Sequence, residues 1–517
     1  MKKDFIVNGP TLAEPPARLL TMHGMALPTI ASATNAQIDE EVQQLMQRTD
    51  SFDADVVVIG SGPGGYVASI RAAQLGARVV CVERKASEWG GVCLNWGCIP
   101  TKTMIASVER LHDVKAASKL GINVGEVSFD FAKIMERKSK VVSTLRGGVE
   151  ALLKSNHVRK VVGSAMLAGP NSVEVTGEDG AKETITSRNI IIATGSAPIM
   201  PPIPGLEGDG IWTSNEAVNA PFVPESIIII GAGAVGLEFS YVFSGLGSKC
   251  TVVEMMPEIL PLGDAEVAAD LRKSLARQGI KFNLDSKVTS VERAGDKYRV
   301  TISSQKGDQV VEAQIVLVGA GRIALTDNLG LEKVGVEFTR KGIEVNDHMM
   351  TNIPGIYAIG DVTGKLPLAH VASHQGIVAA ENAMGHDATM DYHAIPSPVF
   401  TEPEMAWVGM NEKEARDAGY DVVTGRFPFR PLGKAIAIDQ QEGFVKIVTE
   451  RKYGELLGVH IVGPHASDLI HEAVTAIKLE STVDELMTMV HAHPTLAEAM
   501  LEASLDTKGE AIHKLKS

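Results

Sequence analysis

The apolar positions of this chain follow the same unusual pattern twice. From Phe52 the segment DADVVVIGSGPGGYVASIRAAQLGARVVCVERK opens on an unbroken apolar run, crosses a cluster of glycines, continues with helical periodicity and closes on a second apolar run. Unbroken runs of this length suit strands buried on both faces of a parallel sheet. The pattern predicts a strand over 56–59, a helix over 66–75 with Gly76 as its C-terminal glycine, and a strand over 78–82. Strand, helix and strand joined by short turns form a βαβ unit. PESIIIIGAGAVGLEFSYVFSGLGSKCTVVEMM repeats it, with strands over 227–230 and 249–253 and a helix over 234–244. From about Ile395 onward no such turn recurs, and mixed helical and strand periods predict a separate α+β domain. Residues 1–51 carry Pro10, Pro15, Pro16 and Pro28 and read as an extension, with one short amphipathic helix over 36–48 and Asn35 as its N-cap.

Composition narrows the function classes. At 517 residues the chain exceeds one domain, and 22% charged with 44% hydrophobic residues is ordinary for a soluble protein. The balance of 49 Lys+Arg against 63 Asp+Glu gives −14, which argues against a nucleic-acid backbone as partner. Segments 19–38 and 189–206 lack charges, but prolines and polar residues interrupt both, so no membrane span is expected. Behind Lys2-Lys3 there is no apolar core, and Asp4, Glu14 and Asp39-Glu40-Glu41 argue against a transit peptide; the expected compartment is the cytoplasm. Four cysteines make no disulfide scaffold.

Each glycine turn has a chemical reading. In Gly60-Ser-Gly62-Pro-Gly64-Gly65, Gly60 permits the tight turn, Gly62 lets the backbone approach a pyrophosphate, and Gly65 lets helix and strand pack closely. Glu83, 23 residues after Gly60, ends the second strand, where a carboxylate accepts hydrogen bonds from ribose hydroxyls. Gly231, Gly233 and Gly236 repeat the turn, with Glu254 again 23 residues on. Both turns follow a strand, open a helix and carry the distal acid, so two dinucleotides are expected. Glu254 would repel a 2′-phosphate, and EMMPEILPLGD offers no Arg, which favours NAD over NADP at the second site.

Cys81 and Cys250 fall inside predicted strands and read as small buried hydrophobes. Cys93 and Cys98 stand in GGVCLNWGCIPTK with four residues between them. A metal site would need two further ligands, and none is near. A bridge needs a distorted helical turn, which Gly97 permits, and such a pair beside a cofactor site reads as redox-active rather than structural. His493, in HPTLAE, has Glu498 five residues on. That pair reads either as a base with its orienting carboxylate or as a helix start with Thr495 as cap and Glu498 in a capping box. His491 and His493 form an H-x-H pair without an evident third ligand, so no metal is expected.

GGVCLNWGCIPTK resembles the active-site segment of the pyridine nucleotide-disulfide oxidoreductases, and its CLN-x-GCIP form is similar to members that oxidise dihydrolipoyl groups. ATGSAP at 193–198, YAIGDVTG at 357–364, LAH at 368–370, FTEPEMAWVG at 400–409 and HAHPTLAEA at 491–499 have counterparts there in the same order. The resemblance covers about 52–517 and leaves the extension unexplained. It implies an α/β fold with two Rossmann-like domains and a C-terminal α+β dimerisation domain: FAD-binding over 52–197 and 325–394, NAD-binding over 198–324, and interface over 395–517. Glu83, Asp361, Gly163, Thr194, Gly195, Ser196, Pro367, Leu368, Ala369 and His370 are then expected at FAD, and Glu238, Glu254, Val288 and Gly321 at NAD. Cys98 is the sulfur beside the flavin and Cys93 the sulfur that meets substrate. Lys102 lies by the flavin and pairs with Glu238, although a solvated lysine or a purely structural ion pair are the plainer readings. His493 and Glu498 come from the second subunit of a homodimer. The implied partners are lipoylated domains and the acyltransferase core of 2-oxoacid dehydrogenase complexes, or the lipoylated glycine cleavage protein.

The chain departs from the family in two places. Ala324-Leu325 replaces Pro-Asn in the family's GR-x-PNT-x-LGL stretch, which affects the crossover between the dinucleotide domains. Trp96 stands between the cysteines where a small aliphatic residue is usual. Glutathione-type reductases want arginines near Glu254, and mercuric reductase wants a C-terminal cysteine pair that GEAIHKLKS lacks. A flavin-bearing scaffold without catalysis would have no need of His493 and Glu498.

Overall fold

A computed structural model describes residues 52–515, so the helix expected over 36–48 lies outside the described residues. The first apolar run forms β1 (Ala54–Ile59), and its helix α1 spans Pro63–Gln74. The helix starts three residues earlier than its period indicated, because Pro63 at the first helical position has the φ a helix needs and no N–H to leave unpaired. Gly76 follows the helix with φ +92°, the left-handed exit expected of it, and leads into β2 (Val79–Glu83). GGVCLNWGCIPTK then forms two helices, α2 (Gly91–Trp96) and α3 (Cys98–Ala116).

β1 is the middle strand of a parallel arrangement. β2 lies on one side and β3 (Lys182–Ile192) on the other, with Arg159–Val162 outside β2. Val56, Val57 and Val58 are fully buried, as an unbroken apolar run requires. The second unit repeats this plan. β4 (Ser226–Ile230) leads through α4 (Ala234–Gly245) to β5 (Lys249–Val253), and β4 is flanked by β5 and by β6 (Ile315–Val318), all parallel. The chain then returns to the first sheet as β7 (Ile356–Ala358), parallel to β3. Helix Ala369–Ala383 packs on α1, where Arg71 meets Glu381 at 2.6 Å.

The crossover between the sheets is held by backbone pairing and by the Thr194 hydroxyl, which donates to the Leu325 carbonyl at 2.8 Å. Arg322–Ala324 pairs antiparallel with Ser196–Pro198, and the Leu325 N–H donates to the Gly195 carbonyl at 3.0 Å. Ala324 and Leu325 are therefore accommodated without the family's proline. Beyond residue 395 five antiparallel strands, ordered Ser397–Val399, Glu404–Gly409, Leu456–Gly463, Phe444–Glu450 and Val422–Pro428, carry Ala466–Lys478 and α5 (Glu498–Asp506) on one core. This is the α+β region expected from the mixed periods.

The two turns superpose in their constraints. A Cβ on Gly65 would stand 1.9 Å from the Gly60 carbonyl oxygen, and one on Gly236 2.0 Å from that of Gly231. Both contacts are with backbone, which cannot yield without moving strand against helix. Gly236→Ala is expected to cost at least about 2 kcal/mol by overpacking. Gly233→Ala adds a Cβ that meets nothing within 4 Å, so its loss should be far smaller. Thermal unfolding of the two variants side by side checks this.

Candidate active site

A cavity of about 800 Å³ opens over the carboxyl ends of β1, β2, β3 and β7, the edge at which ligands bind in parallel sheets. Gly60 and Gly62 line it, together with Glu83, Lys102, Gly163, Thr194, Gly195, Ser196, Asp361 and the run Pro367, Leu368, Ala369 and His370. Of the residues expected at the first dinucleotide only Gly65 is withdrawn from the wall, where it seats helix against strand. The volume suits an extended dinucleotide and the lining is mostly apolar with a few placed polar groups, so FAD fits it.

Glu83 is buried at 7% exposure and holds the glycine turn of its own unit. Its Oε2 accepts from the Ser61 N–H at 3.0 Å and the Ser61 hydroxyl at 2.6 Å, and its Oε1 accepts from the Arg84 N–H at 2.7 Å. Burial pushes its carboxyl above the usual range in spite of these bonds. A carboxylate has about four acceptor positions, so one remains for a ligand. Glu254 pins the second turn in the same manner, accepting from the Ala232 N–H at 2.7 Å and the Met256 N–H at 2.9 Å.

The cysteines sit on either side of a break. At Gly97 the backbone leaves helical geometry (φ −124°, ψ −114°), ending α2 and letting α3 begin at Cys98. A side chain there would press on the Val92 carbonyl and Cys93 Cα at 3.0–3.1 Å. Both cysteines are thiols here, and both line the cavity with Trp96. The Cys93 thiol donates to the Cys98 sulfur, which draws Cys98 down to about 7 against its burial; the Lys102 ammonium adds to this and Glu238 opposes it. The same hydrogen bond, with burial, pushes Cys93 up. The pair is thus divided into one sulfur that ionises readily and one that holds its proton.

Lys102, one turn after Cys98 on α3, reaches Glu238 on α4, with Nζ 2.7 Å from both carboxylate oxygens. Nζ also lies 4.5 Å from the Phe400 ring centroid, and the Phe400 N–H donates to Glu238 at 3.2 Å. Glu238, expected at NAD, therefore lines the first cavity beside Lys102, as do Ala234 and Val235 from the second glycine turn. Arg322 was missed by the sequence reading, although GAGR carried it. Its Nε donates to the Ser196 hydroxyl at 2.7 Å, and that hydroxyl donates to Asp361.

Other expected residues are placed differently. Val288 is buried in the apolar core around Val300 and Ile302, so it offers no side chain to NAD. Gly321 has φ +114° at the crossover, where its carbonyl accepts from the Ile199 N–H. Gly231, Gly233 and Glu254 surround a turn that is open at Gly233. His491 is tied to Glu472 at 2.9 Å and His493 to Glu498 at 2.8 Å, so the H-x-H pair is split between two carboxylates.

His493 and Glu498 do not line the cavity. Burial would raise the Glu498 carboxyl, but the hydrogen bonds from His493 and the Thr495 N–H outweigh it and hold the acid ionised. Nδ1 of His493 therefore carries the hydrogen, and Nε2 is free on a side chain 76% exposed. The helix begins only at Glu498, with Ala497 as N-cap. Thr495 is thus not the cap: its hydroxyl donates backwards to the Ala492 carbonyl at 2.8 Å. One turn along α5, buried Glu502 accepts from the Ile512 and His513 N–H groups and lies 2.7 Å from His513 Nδ1. No spacing rule pointed to that second dyad, because the tail must fold back to make it.

Comparison with known proteins gives the same arrangement a family. Residues 54–376 match the model for pyridine nucleotide-disulphide oxidoreductases, and residues 395–504 match that family's dimerisation domain. The chain belongs to the pyridine nucleotide-disulphide oxidoreductases. It is 44% identical over 466 residues to a dihydrolipoyl dehydrogenase of Thermus scotoductus, covering 89% of this chain and 99% of the relative. The mitochondrial dihydrolipoyl dehydrogenase of Pisum sativum is 40% identical, covering 90% and 93%. A crystal structure of LpdA from Mycobacterium tuberculosis superposes with a TM-score of 0.80 at 30% identity, covering 87% of this chain and 98% of that one. As an oxidoreductase of this family the protein works with FAD and NAD, and the dimerisation match supports a homodimer. Among the described residues no helix is long and apolar enough to cross a membrane.

The sign of the Lys102 contribution is testable. The ammonium favours the Cys98 thiolate, so Lys102→Met should move the ionisation midpoint of Cys98 in the reduced protein upward by at least about one pH unit. The difference in thiolate ultraviolet absorbance between each protein and its Cys98→Ser counterpart measures it. At a pH just above 7 the parent should show the Cys98 thiolate and the variant should have largely lost it.

Proposed function

We propose that this protein oxidises a dihydrolipoyl dithiol to the cyclic disulfide and reduces NAD⁺, as the names of its relatives suggest. The observation that carries the reading is one cavity wall. Cys93 and Cys98 stand in it next to Ala234, Val235 and Glu238, so a redox pair meets both glycine-turn helices at once. We take the division into 52–197 with 325–394, 198–324 and 395–517 as the corresponding FAD, NAD and interface domains.

In the oxidised state a bond joins the Cys93 and Cys98 sulfurs. His493, oriented by Glu498, removes a proton from the substrate dithiol, and the thiolate attacks the Cys93 sulfur. Cys98 leaves as a thiolate, which Lys102 and the neighbouring thiol stabilise. The second substrate thiol then displaces Cys93, which takes up a proton, and the substrate departs as a disulfide. FAD, when bound, supplies the two-electron relay between the dithiol and NAD⁺. The balance is dithiol plus NAD⁺ giving disulfide, NADH and one proton. Half-buried Cys93 stays protonated once released, which leaves Cys98 as the sulfur that gives up electrons.

The partners proposed are lipoyl-bearing proteins of 2-oxoacid dehydrogenase or glycine cleavage systems. The −14 charge favours a basic docking surface on such a partner. The compartment proposed is the cytoplasm, where Cys81 and Cys250 stay reduced.

Cys98→Ser is expected to abolish NAD⁺ reduction by dihydrolipoamide, and His493→Gln to lower it by about 10²-fold or more. The two variants co-expressed give hybrid dimers. If His493 serves the cavity of the other subunit, each hybrid contains one complete site and regains activity, whereas a site built within one chain yields no recovery.

A further inference from the structure

Two residues beyond Phe400 lies a polar contact that the reaction as described does not use. Glu402 Oε2 accepts from the Tyr241 hydroxyl at 2.9 Å and lies 3.2 Å from His112 Nδ1. Tyr241 is fully buried on α4, one turn after Glu238, and His112 is on α3, the helix that carries Cys98 and Lys102. The three elements that meet here are therefore those that meet at Lys102, Glu238 and Phe400. The helices approach so closely that a Cβ on Gly245 would fall 2.2 Å from Val108 Cγ1 and 3.1 Å from His112 Nε2.

We propose that Glu402 is a positioning residue for the redox centre: by binding Tyr241 and His112 it fixes segment 400–402, so that the Phe400 ring and N–H hold Lys102 and Glu238 beside Cys98. The inference rests on the reading of Cys98 as the reactive thiolate. Segment 400–402 has no helix or strand of its own to hold it. Side chains hold it: the Phe400 N–H donates to Glu238, Gln278 Nε2 donates to the Glu402 carbonyl, and the Glu402 carboxylate meets the two helices together through Tyr241 and His112. The charged and titratable groups about Glu402 are His112, Glu109, Arg110 and Asp113 on α3, Tyr241 on α4 and Glu404 two residues further along the chain. Those about Cys98 are Cys93, Lys102, Glu238 and Arg322.

Charge and position have opposite signs here, which makes the role separable. As a mere negative charge, Glu402 disfavours the Cys98 thiolate, and its removal would lower the ionisation midpoint. As a positioning residue, its removal frees Lys102, whose pull on the thiolate exceeds the opposing push of Glu238, and so raises the midpoint. The test is the thiolate absorbance titration of reduced holoenzyme, with Cys98→Ser subtracted, for Glu402→Ala, Glu402→Gln and Tyr241→Phe, with thermal unfolding measured alongside. Glu402→Ala should raise the midpoint at least threefold in ionisation constant, and Glu402→Gln, which keeps the shape and an acceptor, should stay near the parent. In a Lys102→Met background the Glu402→Ala shift should vanish, since it acts through Lys102. A midpoint that is unchanged or lowered in Glu402→Ala overturns the proposal, as does an equal shift with and without Lys102. Where Glu402→Ala does not fold, Tyr241→Phe, expected to give a smaller rise, decides by the same signs. If subtracting Cys98→Ser leaves no thiolate signal in the parent, it is the reading of Cys98 that fails.

Discussion

The contact between Lys102 and Glu238 joins what the chain makes separately. Lys102 comes with the cysteine helix of the first unit and Glu238 with the glycine-turn helix of the second. Glu238 is almost fully buried, and a buried carboxylate left without its cation costs about 3–5 kcal/mol. The second unit is therefore not free to drift from the first. Any rotation of α4 that separated the pair would bury a bare charge and release the ammonium from the partner that fixes it near Cys98. Electrostatics that tune a thiol and electrostatics that dock two sheets are here one interaction. Trp96 and the core around Phe239 fill the apolar surroundings, which keep the dielectric low enough for the pair to matter.

Much of this was readable from local pattern. Two unbroken apolar runs, a glycine turn and an acid at fixed spacing determine a parallel strand pair and the place where its ligand lies. They did so in both units, because every relation involved spans fewer than thirty residues. Gly97 signalled the helix break between the cysteines for the same reason. What escaped was long-range or depended on precise capping. Arg322 reaches Ser196 across 126 residues, and no period in either segment predicts the meeting. Thr495 and Glu498 matched a capping box in spacing, yet the carboxylate orients an imidazole and the helix begins later. The resemblance places Val288 at NAD, while alternation with buried Ser286 turns it into the core, just before the register shift that lets Val291 follow it there.

The duplicated acids show how one signal serves two ends. Glu83 and Glu254 each hold the second residue of their own turn, so the spacing preserved between turn and acid has a structural reason independent of any ribose. Recognition is then the remaining acceptor capacity of a group already fixed in place. That order of events is favourable: a carboxylate immobilised by backbone N–H groups does not have to be ordered when the ligand arrives.

The dyad of His493 and Glu498 is held with equal care and yet stands apart from the cavity it would serve. Its geometry is complete: Nδ1 is committed to an ionised carboxylate, Nε2 is free and the ring projects outward. A base so oriented stands on an exposed surface, three residues from almost wholly exposed Val490 and away from the cysteine cavity of its own chain. The cysteine pair has the complementary lack, since among the described residues no histidine other than His370 lines its cavity and that ring is engaged with the Pro396 carbonyl. Two halves of one acid–base and redox site, each fully formed and each wanting the other, are what a twofold-symmetric pair of chains supplies. In the reaction proposed above the dimerisation domain would then do more than join subunits: it would bring the proton acceptor of one chain to the sulfur pair of the other.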